Sequence, residues 1–199
     1  MNRPRVVLFD LGNVLVQVRP ERFWEALGVN DVERQQRMGA ELKEMGKGYE
    51  SGRMSTEEFR REFSLIVGAG RSTEEMEQTF LSVLPTPVVG MEDIVRRTAE
   101  RAATALVSNT SPLHFEHCLR TVPALRHLHR FYLSYHLKAL KPDHAFYRGV
   151  IEGEACDPRD MVFIDDIPDN VRAAEASGMN GIRFTTPIHL EQSLLRLGL

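Results

Sequence analysis

The sequence predicts a doubly wound α/β fold, in which helices cover both faces of a parallel sheet. Three apolar runs without alternation predict strands that are buried on both faces. Each run ends in polar residues, at Asp10, at Ser108-Asn109 and at Asp165-Asp166. Because ligands of such sheets bind beyond the carboxyl ends of the strands, these polar residues should meet at one edge.

Length, charge and cysteine content limit the class of protein. A chain of 199 residues suits one domain, with room for an insertion. A net charge of -3 leaves no basic excess for nucleic acid, so we expect no such partner. Two cysteines form no disulfide framework, which indicates a reducing, cytoplasmic setting. No apolar run approaches membrane-spanning length, and Asp10 interrupts the N-terminal one, so we expect neither a membrane segment nor a signal peptide.

The elements around these strands follow from periodicity. An amphipathic helix is predicted before the second strand, in MEDIVRRTAERA (91–102), and another after the third, in DNVRAAEASG (169–178). Residues 131–137 and 181–184 are predicted to add further strands. This alternation of strands and helices is typical of a Rossmann-like parallel sheet.

The interval between the first and second strands is too long for a single crossover. Asp10 and Ser108 are 98 positions apart, whereas a strand–helix–strand unit needs roughly 30 residues. We therefore predict a helical cap over residues 17–88, inserted into a core formed by 1–16 and 89–199.

Four helical stretches fill the predicted cap: PERFWEALG, NDVERQQRMGAELKEMG, STEEFRREFSLIVG and STEEMEQTFLSVL. The last two open with capping boxes, Ser55 with Glu58 and Ser72 with Glu75. The glycine-rich segment 46–53 is predicted to be a turn between helices.

Clustered carboxylates at one sheet edge would repel each other without a cation. Aspartate and carbonyl oxygens suit Mg²⁺, which prefers octahedral oxygen coordination. With Lys141 nearby, such a site indicates phosphoryl transfer, in which a carboxylate can itself be the nucleophile.

Four ordered segments resemble the haloacid dehalogenase superfamily, in the subclass with a helical cap after the first strand. Any one of them alone would be a weak signal, but together they span about 160 residues. The segments are FDLGNVL (9–15), LVSNT (106–110), LKALKPDHAFY (137–147) and VFIDDIPDN (162–170).

The resemblance implies a role for each matching residue. Asp10 would be the nucleophile and a metal ligand, with the carbonyl of Gly12 and the carboxylate of Asp166 as the other protein ligands of Mg²⁺. Asp165 and Asn170 would orient these ligands from behind.

The phosphate-binding residues also follow from the resemblance. Ser108 and the Asn109 amide would bind phosphate oxygens, and Lys141 would neutralise the nucleophile and then the phosphoryl group. The implied partner is a small-molecule phosphate ester, while monomer and homodimer remain open.

Gly12 departs from the family pattern, which usually has an aspartate there to protonate the leaving group. A positioned acid is worth about 10²–10⁴-fold in rate. We therefore hypothesise that the leaving group needs little protonation, as in a sugar 1-phosphate. Alternatively, a cap residue or a water replaces the acid.

The function predicted is a Mg²⁺-dependent phosphomonoesterase that forms an aspartyl-phosphate. The alternatives are a metal-independent hydrolytic dehalogenase and a non-catalytic module that binds a phosphorylated ligand or a protein. Lys47, Tyr49 and Arg53 are candidate leaving-group contacts in the cap. Phe23 and Trp24 are expected to pack the cap helices.

Histidines invite a zinc-site interpretation but lack thiolate partners at ligand spacing, so we expect solvated side chains. The residues concerned are His114, His117, His127 and His129.

Overall fold

The computed structural model describes residues 3–68 and 70–199. Its strands form one five-stranded parallel sheet in the order β3-β2-β1-β4-β5. The strands are β1 Val6–Phe9, β2 Ala103–Ser108, β3 Arg130–Leu133, β4 Met161–Asp165 and β5 Asn180–Arg183. The three apolar runs are β1, β2 and β4, so the doubly wound parallel fold predicted from the sequence is confirmed.

Ten α-helices are found in the described part of the chain. They are α1 Pro20–Leu27, α2 Val32–Glu50, α3 Thr56–Val67, α4 Thr73–Leu81, α5 Met91–Ala99, α6 Pro112–Thr121, α7 Ser134–Leu137, α8 His144–Glu154, α9 Pro168–Ala176 and α10 Pro187–Arg196. Within these residues, no helix is both long enough and apolar enough to span a bilayer.

Alternate residues of the central strands enter different apolar cores. Val7 and Phe9 of β1 pack in a core with α5, α6 and α10, whereas Val6 and Leu8 pack in a second core with α8 and α9. Both faces of the sheet are thus covered, which is why these strands lack alternation in sequence.

The cap helices α1 to α4 have an apolar core of their own. Phe23, Tyr49, Phe59 and Phe63 are among its buried side chains. Both predicted capping boxes are present, at the N-termini of α3 and α4. Each satisfies backbone N–H groups that have no partner within the helix.

Two chain segments join the cap to the sheet side by side. The Gln17 N–H donates to the Thr86 carbonyl at 2.9 Å, and the Arg19 N–H donates to the Val83 carbonyl at 2.7 Å. The Val88 N–H donates to the Leu15 carbonyl at 2.9 Å. These paired segments support the predicted cap boundaries at residues 17 and 88, which stay a prediction.

Two local predictions differ from the structure. Segment 131–137 is strand only as far as Leu133, and Ser134 begins the short helix α7. Segment 46–53 is not a turn throughout, because α2 continues to Glu50. Tyr49 stacks on Phe59 at a ring-centroid distance of 4.3 Å, and this packing stabilises the last helical turn despite the glycines in it.

Candidate active site

Lys141 lies between two carboxylates at the carboxyl edge of the sheet. Its Nζ donates to Asp10 Oδ1 at 2.7 Å, to Asp165 Oδ2 at 2.6 Å and to the Val107 carbonyl at 3.0 Å. The Lys141 side chain is only 2% exposed, so its three donors all find acceptors inside the protein. Burial opposes the charge, but the attraction of both carboxylates outweighs it and raises the pKa of Lys141.

The side chain of Asn109 fixes the backbone of Lys141. Its Nδ2 donates to the Lys141 carbonyl at 2.9 Å, and its Oδ1 accepts from the Lys141 N–H at 2.8 Å. This two-bond pairing joins the end of β2 to the segment before α8. The side-chain amide predicted to bind phosphate is thus engaged with Lys141.

Asp10 follows β1 directly, and its backbone N–H donates to the Ile164 carbonyl at 2.9 Å. Burial raises the pKa of the Asp10 carboxyl to about 7, with Asp165 adding to the rise and Lys141 opposing it. Carboxylate oxygens of Asp10, Asp165 and Asp166 all lie within 4.8 Å of one another. In the described ranges, this is the acidic group placed to hold a cation.

The Asp165 carboxylate is already surrounded by protein donors. Oδ1 accepts from the Ile167 N–H at 2.9 Å, and Asn170 Nδ2 lies 3.0 Å from both oxygens. With Lys141 on Oδ2, Asp165 holds other groups in position. This arrangement agrees with the role that the resemblance implies for Asp165 and Asn170, which is to orient the metal ligands.

Asn13 is a site residue that the sequence patterns do not single out. Its Nδ2 donates to Asp166 Oδ2 at 3.1 Å, and its Oδ1 accepts from the Val18 N–H at 3.1 Å. Its φ of 53° is one that asparagine tolerates better than most residues. An asparagine directly after Gly12 could have signalled this turn. Burial also raises the pKa of the half-buried Asp166, against the bond from Asn13.

The loop after β2 touches the cap. Ser108 ends β2 and is buried. The Thr110 N–H donates to Ser134 Oγ at 3.1 Å, and that hydroxyl lies 2.6 Å from the Glu50 carbonyl, to which it donates. Two hydrogen bonds through the Ser134 hydroxyl therefore link the candidate phosphate-binding loop to the end of α2.

Of the three leaving-group contacts predicted in the cap, Tyr49 is buried, whereas Lys47 and Arg53 are exposed. Tyr49 is fully buried, and its hydroxyl lies 2.9 Å from Thr56 Oγ1, so it packs in the cap core and the prediction is corrected. Lys47 is exposed and lies 3.5 Å from a Glu44 carboxylate oxygen. Arg53 is also exposed, and the roles of Lys47 and Arg53 stay predictions.

A cavity of about 440 Å³, here called the cap cavity, lies among the cap helices and the start of α6. Its aromatic lining includes Trp24, Phe59, Phe63 and Phe80. Phe23 and Trp24 do pack together, with ring centroids 4.9 Å apart, but both also line this space. Sequence patterns predict that these aromatic residues are buried. They do not predict that the cap helices leave a cavity between them.

His114 lines one side of the cap cavity. The sequence predicts a solvated side chain at this position, and the structure differs from that prediction. Its Nε2–H donates to the Phe80 carbonyl at 3.1 Å, and its ring stacks on Phe80 with centroids 4.0 Å apart. Burial lowers the pKa of His114 to about 4, so the imidazole is neutral at pH 7.

The depressed pKa of His114 predicts acid sensitivity. Between pH 6.5 and about pH 4 the unfolded chain binds a proton at His114 that the folded chain does not, so stability falls as pH falls. From pH 7 to pH 5 we expect this residue to cost ~2 kcal/mol of unfolding free energy. Urea unfolding of the wild type and of His114→Gln at both pH values measures this loss. Glutamine keeps a hydrogen-bond donor at position 114 but does not titrate. An equal pH dependence in both proteins would contradict the prediction.

Comparison with protein families decides the class of this chain. Residues 4–178 match the haloacid dehalogenase-like hydrolases. The chain belongs to this family. The resemblance found in the four motifs is thereby confirmed.

Individual relatives of this haloacid dehalogenase-like hydrolase agree in fold. The D-ribitol-5-phosphate phosphatase of Bacteroides thetaiotaomicron is 24% identical over 86% of this chain and 87% of that protein. A crystal structure of a family enzyme from the same organism, in complex with magnesium and inorganic phosphate, superposes with a TM-score of 0.82 at 24% identity, covering 92% of this chain and 95% of the other. A family hydrolase from Porphyromonas gingivalis gives 0.82 at 28% identity over 98% of both chains.

Proposed function

We propose that this chain is a Mg²⁺-dependent phosphomonoesterase acting on a small-molecule phosphate ester. The observation that carries the proposal is the buried Lys141 between Asp10 and Asp165, beside a third carboxylate, Asp166. A relative named for its phosphatase activity, and a related structure holding magnesium and phosphate, support the same class.

The donor set fits Mg²⁺. Asp10 and Asp166 offer carboxylate oxygens, and Gly12, two residues after Asp10, offers its backbone carbonyl, so all three donors are oxygens. Asp165 instead holds neighbouring groups in position, because protein donors already occupy both of its carboxylate oxygens. When bound, Mg²⁺ supplies neutralisation of the charge on the transferring phosphoryl group.

The residues of the chain divide the reaction between them. An Asp10 oxygen forms a bond to phosphorus while the ester P–O bond breaks, giving an aspartyl-phosphate; water then attacks that phosphorus and releases phosphate and Asp10. Lys141 offsets the charge of Asp10 and then of the phosphoryl oxygens. We assign phosphate contacts to the Ser108 hydroxyl and, because the Asn109 side chain holds Lys141, to the backbone N–H of Asn109.

Gly12 limits which leaving groups can be expelled. Position 12 has no side chain to donate a proton, and a Cβ there would lie 3.2 Å from Val18 Cγ2, which is a tight contact. We infer that the substrates have weakly basic leaving groups, of which sugar 1-phosphates are the simplest biological example.

Two sugar phosphates test this inference. With Mg²⁺, kcat/KM for α-D-glucose 1-phosphate is expected to exceed that for the 6-phosphate by ~10²-fold, the lower bound for a missing general acid. Phosphate release measures both rates, and excess EDTA should stop both. Equal kcat/KM values would remove the leaving-group argument while leaving phosphatase activity in place.

The alternative functions give different results in the same experiment. Halide release from 2-haloacids that continues in EDTA would indicate a dehalogenase. Binding of phosphate analogues without turnover of any phosphate ester would indicate a non-catalytic module.

A further inference from the structure

One residue that lines the cap cavity, Glu50, has a carboxylate without a partner among the described residues. Glu50 lines the cavity, and within residues 3–68 and 70–199 no hydrogen bond or ion pair engages its side-chain oxygens. Burial raises the pKa of Glu50. A partly buried carboxylate without a protein donor is available to a ligand, so a ligand that brings a hydroxyl or amine would bind favourably here.

Glu50 also connects this cavity to the candidate active site. Its backbone carbonyl accepts from Ser134 Oγ at 2.6 Å, and the same hydroxyl accepts from the Thr110 N–H, two residues after Ser108. On the other side, His114 near the start of α6 lines the cavity. The cavity wall and the phosphate-binding loop are thus linked by these two hydrogen bonds and by the short segment from Thr110 to His114.

The remaining lining determines what can occupy the space. Apolar side chains predominate, including the rings of Trp24, Phe59, Phe63 and Phe80, and His114 is already bonded to the Phe80 carbonyl. An apolar site with few convergent polar groups selects an apolar body and fixes its orientation through those groups. A volume of about 440 Å³ is in the range of small-ligand sites.

We propose that the cap cavity binds the leaving group of the substrate, a ring with an apolar face and a hydroxyl group that donates to the Glu50 carboxylate. This inference rests on the proposed phosphatase function and deepens it. Glu50 is then a specificity-determining residue, and the aromatic rings contribute affinity for any ring of suitable size.

Gly46 allows the cavity to be filled without disturbing its walls. It lies inside α2, lines the cavity, and a Cβ built on it meets no atom within 4 Å. Leucine also has the higher helix propensity, so Gly46→Leu is expected to fold. Gly48, two residues further on, is outside the cavity lining, and its Cβ would make only ordinary contacts at 3.9 Å. Gly48→Ala is therefore the control.

The first experiment compares two substrates. The leaving group of phenyl phosphate is a ring that would enter the cavity, whereas the leaving group of acetyl phosphate is too small to fill it. We expect Gly46→Leu to lower kcat/KM for phenyl phosphate at least ~10-fold more than for acetyl phosphate, whereas Gly48→Ala changes their ratio little. An equal loss for both substrates would overturn the proposal. No turnover of acetyl phosphate by the wild type with Mg²⁺ would instead count against the proposed phosphatase function.

The second experiment tests Glu50 by removing one hydroxyl from the substrate. Wild type is expected to prefer 3- or 4-hydroxyphenyl phosphate over phenyl phosphate by ~10-fold or more in kcat/KM, and Glu50→Leu should bring that preference close to one. Rates on acetyl phosphate report separately on the chemistry. A preference unchanged in Glu50→Leu, or absent in wild type, would overturn the assignment of Glu50.

Discussion

Replacing Asp10 by asparagine is expected to lower phosphatase kcat by on the order of 10⁴-fold or more, because the amide cannot form the aspartyl-phosphate. The substitution keeps the shape of the side chain and removes a carboxylate that burial already disfavours. We therefore expect the folded state to survive, so that lost activity reports on chemistry. Steady-state phosphate release from acetyl phosphate measures the effect.

A matched variant separates the nucleophile from the rest of the acidic group. Asp166→Asn leaves Asp10 in place and should mainly raise the Mg²⁺ concentration needed for half-maximal activity. Asp10→Asn should stay inactive at any Mg²⁺ concentration. Activity in Asp10→Asn above about one hundredth of wild type, in protein shown to be free of deamidation, would exclude Asp10 as the nucleophile.

The sheet and its site residues were predictable because local patterns encode them. Continuous apolar runs identify β1, β2 and β4, and the carboxyl ends of parallel strands must lie at one edge. Asp10 and Asp165 therefore had to lie near each other once the strands were identified. Capping boxes are equally local, since residues three apart satisfy each other at a helix start.

The cap cavity was not predictable, because it depends on how separate helices pack. Phe59 and Phe80 are distant in sequence, yet their ring centroids are 4.6 Å apart. Nothing near Glu50 in sequence indicates that this residue lines a cavity together with aromatic residues. His114 shows the same limit, since its neutral state depends on burial against α4.

Local signals also conflicted with tertiary contacts in two places. Glycines at 46 and 48 indicate a turn, but Tyr49, which follows them directly, packs on Phe59 and keeps the segment helical. Segment 131–137 is apolar enough for a longer strand, yet Ser134 turns inward, where it bonds Thr110 and Glu50. Both errors fall where the cap meets the core.

Replacing Lys141 by methionine is expected to lower the free energy of unfolding by ~3–5 kcal/mol in the absence of Mg²⁺. Methionine fills a similar volume, but the Asp10 and Asp165 carboxylates then lie buried without their shared cation. Lys138→Met is the control, because Lys138 is exposed and, among the described residues, its Nζ donates to the Gly52 carbonyl alone, at 2.8 Å. Urea unfolding of all three proteins measures the difference.

Added Mg²⁺ distinguishes an electrostatic cause from a packing defect in Lys141→Met. A cation bound by Asp10 and Asp166 would replace part of the lost positive charge, so Mg²⁺ should raise the thermal midpoint of Lys141→Met by more than that of wild type or Lys138→Met. Activity should stay low in the variant, since the methionine cannot neutralise the phosphoryl oxygens. A loss of stability that Mg²⁺ leaves unchanged would show that Lys141 acts through packing, and that the carboxylates at this edge do not share a divalent ion.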